Sequence, residues 1–230
     1  MPALVPYVAA YSNELGPREL DLCIEVPRSG VPHIAYTEPR PDDRDAHGNL
    51  WARMTRPPES ERGRVMYDCM DPLRQRECME GLLCQVCAQP AETSKGTVFV
   101  EWDRPGGQPK RLDLITTDAP PVCRTCLPLS LRRCPFLRDE ESVRVLLVRK
   151  SVISGVSGTL YRVSDDLARW IPSEQDAYSS FTKTRHPGML AQRLHRKLRG
   201  VTVLGSDELP PVLVPTPRRS SKTKAPRGTD

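Results

Sequence analysis

Cys84-Gln85-Val86-Cys87 and Cys123-Arg124-Thr125-Cys126 are the two stretches on which the reading of this chain turns. Each is a Cys-x2-Cys pair, and 35 residues separate them. Two thiolates that straddle a two-residue turn can reach one ion, and a tetrahedral Zn²⁺ site takes four such donors at about 2.3 Å. The gap is longer than the 15–20 residues of a short zinc site, so something between the pairs must bring the second back to the first. Residues 97–102 (Thr-Val-Phe-Val-Glu-Trp) and 111–116 (Arg-Leu-Asp-Leu-Ile-Thr) read as the two arms of a hairpin, with turn chemistry at Pro105-Gly106-Gly107. Residues 127–134 read as a short helix stopped by Pro135. The order is knuckle, hairpin, then a second knuckle at the start of a helix, which is the order of a treble-clef zinc centre.

Cys84, Cys87, Cys123 and Cys126 are therefore the expected ligands of one structural Zn²⁺. An all-Cys shell leaves no position for water, so such a site shapes a fold and does not catalyse. Four thiolates around one Zn²⁺ leave two net negative charges, which Arg124, Arg132 and Arg133 stand close enough in sequence to offset. Cys134 lies eight residues after Cys126, about 12 Å along a helix, and Cys78 six before Cys84, about 9 Å. Neither reaches the same ion. Those two, with Cys23 and Cys69, read as core or semi-buried thiols.

Further out along the chain, Leu20-Asp21-Leu22-Cys23-Ile24-Glu25-Val26 alternates like a half-buried strand. Residues 37–64 read as an extended loop. Within it Asp42, Asp43, Asp45 and His47 are a solvated acidic loop on this reading. Asp71 is an N-cap and Pro72 the first residue of a helix that runs to Cys84, with Cys78, Met79, Leu82 and Leu83 on one face. Strands are expected at 142–150 and 156–163, divided by Gly155 and Gly158. A helix is expected at 188–199, with Leu190, Leu194 and Leu198 on its inner face and Gly200 as its C-cap. A final strand is expected at 201–204. His186 marks that helix's start and His195 lies on its exposed face.

The expected class is α+β: small antiparallel β-hairpins and short helices around a treble-clef-like zinc centre. One domain spans 1–204, with its zinc centre at 84–137, and residues 205–230, rich in Pro, Ser, Lys and Arg, form a disordered basic tail.

Charge is divided unevenly. Residues 1–80 carry 14 acidic and 10 basic side chains, and the whole chain is +5, so residues 81–230 carry +9. Lys183, Arg185, Arg193, Arg196, Lys197 and Arg199 lie in a stretch with no acidic residue. These six are the candidate nucleic-acid contacts, through phosphates. An acidic protein is the other partner such a surface suits. Aromatic residues make up only 5% of the chain, and none of the six has a stacking platform beside it for single strands. The longest useful apolar stretch, 143–148, is strand-sized, far short of the ~20 residues a membrane helix needs. Residues 1–16 lack the basic and apolar regions of a secretory signal, so a cytoplasmic setting with reduced thiols is expected.

The segment Leu83-Cys84-Gln85-Val86-Cys87 resembles the knuckle of the His-Asn-His nucleases. Those enzymes need histidines on the hairpin and the following helix, and residues 88–140 contain none. Nuclease chemistry is rejected on that ground, and no catalytic residue is assigned.

A wider likeness rests on Leu4-Val5-Pro6-Tyr7, Asp43-Arg44-Asp45, His47-Gly48, Leu50-Trp51-Ala52-Arg53, Pro72-Leu73-Arg74-Gln75-Arg76, Leu83-Cys84-Gln85-Val86-Cys87, Pro120-Pro121-Val122-Cys123 and Leu131-Arg132-Arg133-Cys134-Pro135. With these the chain resembles a group of uncharacterised proteins of streptomycetes, related actinobacteria and their phages, over about residues 4–204. The resemblance implies an actinobacterial source, which the excess of Arg over Lys (27 to 7) also suits, and a single domain.

Overall fold

A computed structural model describes residues 5–17, 21–28, 30–102, 111–134, 137 and 143–209. The turn expected at 105–107 and the tail beyond 209 lie outside them. The fold is α+β and mostly strand.

Two long strands form its spine. Strand β9 (Val143–Val163) and strand β11 (Met189–Val203) pair antiparallel from Leu146↔Val203 to Leu160↔Met189. Each carries short partners on its outer edge. Along β9 these are β7 (Gly96–Trp102), from Trp102↔Val143 to Thr97↔Val148, and then β10 (Trp170–Ser180), from Ser180↔Gly155 to Trp170↔Val163. Along β11 they are β4 (Leu50–Trp51), parallel, and β8 (Thr116–Thr117), antiparallel. A two-residue strand β6 (Glu92–Thr93) closes a tight hairpin on β7. Two small sheets sit apart: β1 (Ala9–Tyr11) with β5 (Val65–Met70), and β2 (Leu22–Glu25) with β3 (His33–Tyr36).

Several expectations are corrected here. The segment 188–199 is not a helix but the inner strand β11. Leucines four apart sit on one side of a helix, but four is also twice the strand period, so the spacing suits a strand equally well; in β11 an irregularity between Ala191 and Arg193 puts Leu190 in the core of Ile34 and Tyr36, while Leu194 packs with Met79 and Val156. Leu190, Leu194 and Leu198 are all buried. Gly200 has the left-handed φ of +62° expected of a cap, but within the strand. Strands 142–150 and 156–163 are one strand. Gly155 and Gly158 do not break it; they let neighbouring backbones come close. A Cβ at Gly155 would lie 2.3 Å from Ser179 O, and one at Gly158 2.0 Å from Leu190 O. The arms 97–102 and 111–116 do not pair. The first pairs with β9; in the second, Leu112–Leu114 is a 3₁₀ turn and Thr116 joins β8 beside β11.

Helix α1 (Pro72–Gly81) starts as expected: the Asp71 carboxylate accepts the Arg74 N–H at 2.8 Å and Pro72 takes the first position. It ends at Leu82, a residue in the left-handed conformation, and not at Cys84. Its buried face holds Cys78 and Met79 but also Arg74 and Gln75. Gln75 acts as a piece of strand. Its side-chain amide donates to Leu194 O and accepts from Leu194 N, both at 2.9 Å. This fills the stretch of β11 edge between β4 and β8.

Helix α2 (Leu127–Arg133) follows the second cysteine pair, as expected. Chain packing continues past residue 204: Ser206–Glu208 forms a 3₁₀ turn, and Leu204 and Leu209 pack against the core around Val98, Val100 and Val145. Among the described residues no helix is long and apolar enough to cross a membrane.

Candidate metal centre

The first cysteine pair sits in a turn held at both ends by backbone bonds. Cys84 N donates to Gln89 O and Ala88 N donates to Cys84 O, both at 2.8 Å. Leu82 and Ala88, on either side of it, take left-handed φ values of 49° and 57°. These are uncommon for residues with a Cβ and curl the chain around the two sulfurs. The second pair lies in the turn before α2. Cys126 is the helix N-cap, and Cys126 N and Leu127 N donate to Cys123 O at 3.1 and 3.0 Å.

Backbone bonds bring the two turns together. Gln85 N donates to Pro121 O, and Val122 N donates to Val98 O of β7, both at 2.9 Å. The long loop between the pairs is thus anchored on β7 without the hairpin that the sequence predicts. Beneath the site Val98, Val100, Val122, Leu127 and Val145 form a buried apolar floor.

The four sulfurs of Cys84, Cys87, Cys123 and Cys126 all lie within 4.8 Å of one another. With Zn–S bonds of about 2.3 Å, the corners of a tetrahedron stand about 3.8 Å apart. Cys87 Sγ and Cys123 Sγ are 3.8 Å apart. The donor set therefore fits a single tetrahedral divalent ion bound by four thiolates. Cys84 is fully buried and Cys87 is exposed, with the other two between.

Burial pushes the Cys84 and Cys126 thiols up. At Cys123 burial acts the same way, but hydrogen bonds from the Cys126 N–H and from neighbouring thiols outweigh it and bring the thiol below its usual value. The donors that face the sulfurs include backbone N–H groups, such as Val86 N at 3.4 Å from Cys84 Sγ. Arg124, Arg132 and Arg133 are exposed.

The other cysteines sort as follows. Cys78 is fully buried, its thiol pushed up to about 12 by burial first, and its Sγ lies 3.9 Å from Cys84 O. Cys23 and Cys134 are half-buried, as expected, while Cys69 is exposed on β5, where that strand leaves its partner.

The acidic loop is solvated at Asp42 and His47, which are exposed, but not at Asp43. Asp43 is buried against Arg53, which donates to both its oxygens at 2.7 and 2.6 Å. Asp45 accepts from His47 N, Asn49 N and the Trp51 indole, so its lone pairs organise the loop and are not turned to an ion. The His47 ring stacks on Phe181 at 3.8 Å.

The six basic candidates divide. Arg196 is buried, donating to Met79 O in the last turns of α1 and to Ser151 Oγ at 2.9 Å. There it satisfies a helix carbonyl and complements the negative end of the dipole. Arg185 is half-buried, donating to Gly48 O and meeting His33 Nδ1 at 3.0 Å. Arg193 pairs with Asp118 at 2.9 Å. Lys183 and Arg199 are exposed, and Lys197 is half-buried. His195 lies among them, half-buried, its Nε2 2.8 Å from Ser157 Oγ. His186 precedes a strand, its Nδ1 accepting the Gly188 N–H at 3.1 Å.

Comparison with family models, with curated proteins and with solved structures gives no match to this chain.

Proposed function

We propose that this chain is a non-enzymatic binding module of the cytoplasm, shaped by one structural Zn²⁺ on Cys84, Cys87, Cys123 and Cys126 in a treble-clef-like centre, that contacts nucleic acid through its basic C-terminal region. The convergence of four sulfurs from two distant turns carries the reading. Soft thiolate donors in a closed tetrahedral set favour Zn²⁺ over oxygen-seeking cations. The binding partner is supported by charge: residues 81–230 carry +9, and Lys183, Lys197 and Arg199 are open to solvent at least in part.

An acidic protein as partner is the second reading. It is favoured by the internal use of Arg185, Arg193 and Arg196, which leaves fewer cations for a long phosphate backbone.

Elemental analysis of the purified protein tests the centre: one zinc per chain is expected. Cys123→Ser should lower zinc content and solubility, while Cys23→Ser, on the small β2–β3 sheet, should change neither. Equal behaviour of the two variants would remove the ligand assignment. Retention on duplex DNA at low salt, lost at moderate salt, tests the partner.

A further inference from the structure

The alternation of β11 sorts its cations. Leu194, Arg196 and Leu198 are buried, while Arg193, His195 and Lys197 are half-buried and Arg199 is exposed. Successive side chains of a strand point to opposite faces. Arg193, His195, Lys197 and Arg199 therefore form one row, about 20 Å long at strand rise. The near end of this row is occupied: Arg193 holds Asp118, and His195 holds Ser157. Towards the other end the charge is less balanced. Asp113 lies near Lys197, but Arg111 grips it at 3.0 and 3.2 Å. Arg199 stands directly opposite Lys150 of β9, and both are exposed. Like charges directly opposite one another destabilise a sheet. Lys197 is two residues from Arg199 and opposite Val152, so it shares that face. Arg149, also exposed, lies next to Lys150 and against Gly200, where the left-handed φ bends β11.

We infer that Lys150, Lys197 and Arg199, with Arg149 at the margin, form a phosphate-binding patch on the β9–β11 ribbon, and that its partner is the backbone of duplex nucleic acid. The inference rests on the nucleic-acid reading above and gives it a place. Lys150 and Arg149 enter the patch only through strand pairing. Point cations on a sheet face hold phosphates and fix position without reading sequence. The four patch residues include no aromatic ring to stack a base, which favours duplex over single strand. A repulsive cross-strand pair that costs stability in the free protein becomes favourable once a phosphate lies between the two cations.

The test uses the full chain and a fluorescent 20-base-pair duplex of mixed sequence, with Kd measured from 50 to 200 mM salt. Three to four phosphate contacts give a log–log slope of about −3 to −4, roughly a 100-fold loss over that range. Lys150→Glu should make the slope shallower by about one and at the same time raise the thermal midpoint, since an opposite-charge pair replaces a like-charge pair. Arg199→Glu should do the same. The double variant should bind more weakly still, with its midpoint back near that of the parent. If the parent chain binds steeply but these variants bind as it does, while Lys183→Glu or neutralisation of the tail's Arg218 and Arg219 weakens binding, the patch is misplaced and the broader reading stands. Absence of duplex binding at 50 mM salt removes the broader reading itself. Retention on polyglutamate without duplex binding, with the same sensitivity to Lys150→Glu, would keep the patch and overturn its partner.

Discussion

Arg74 shows how much a single buried side chain can carry here. It is 6% exposed, and its guanidinium grips Glu14 through two bonds of 2.7 and 2.6 Å while also donating to Ala9 O. Burial alone would raise the Glu14 carboxyl, but the Arg74 bonds and the Tyr11 N–H together hold it below the usual carboxylate range. A depressed folded-state pKa adds stability above the unfolded value, about 4.3, and loses it as pH falls through the folded value. Glu14→Gln removes the hydrogen-bonded charge partner of buried Arg74, leaving only Asp71 at 3.9 Å, and should cost about 3 kcal/mol at pH 7. The gap between this variant and the parent in urea melts should close as pH falls below about 4; a constant gap would mean the ion pair is not the cause. The Cys-x2-Cys quartet could be read from sequence because its spacing is local chemistry. The Glu14–Arg74 pair spans 60 residues, and nothing in the sequence marks those two as partners.

Helices α1 and α2 were legible because their start signals, Asp71-Pro72 and the knuckle before Leu127, act within one turn. Strand β11 was not. Leucines at a spacing of four fit both periods, and the choice fell to pairing with β9, up to 57 residues away in sequence. Arg196 then lies on the buried side, where a helical reading would have left it with the other basic residues. The paired glycines of β9 look like breaks in the sequence because Gly is punctuation in most strands; in the fold they admit the close backbones of neighbouring strands. Gly158→Ala tests this at the scale of the strand pair. Its new Cβ would meet Leu190 O at 2.0 Å and the backbone of Ala191 and Gln192 at 3.0 Å, and no flexible side chain can yield there. The expected loss is about 2–3 kcal/mol, the upper range for overpacking, read from the midpoint of denaturant unfolding. A loss no larger than that of an exposed strand position would show that β9 and β11 shift apart easily.

At the scale of the molecule, the four-cysteine cluster and the spine are packed together. The two knuckles meet over Val98, Val100 and Val145, which belong to β7 and β9, so an ion held by the four cysteines would clasp the start of α2 and the turn beyond α1 to the sheet. Among the described residues, buried apolar side chains are spread over four clusters, the largest fully buried ones being Trp51 and Phe99. A structural zinc site contributes on the order of 10 kcal/mol to folding, as much as the net stability of 5–15 kcal/mol of a whole domain. Removing the ion should therefore bring the chain to the edge of unfolding, not merely loosen one loop. For a chain of this size each kcal/mol moves the thermal midpoint by about 2–4 °C, so chelation by EDTA should lower it by some 20–40 °C. Adding back one equivalent of Zn²⁺ should restore it, whereas Mg²⁺, which prefers oxygen ligands, should not. The loss should reach the β9–β11 spine, seen as faster amide exchange at Leu146 and Leu198, both 0% exposed in a core cluster separate from the one that holds the cysteines. If the spine stays protected while only residues near 84–87 and 123–126 exchange, the centre staples a local turn and the rest of the fold stands without it.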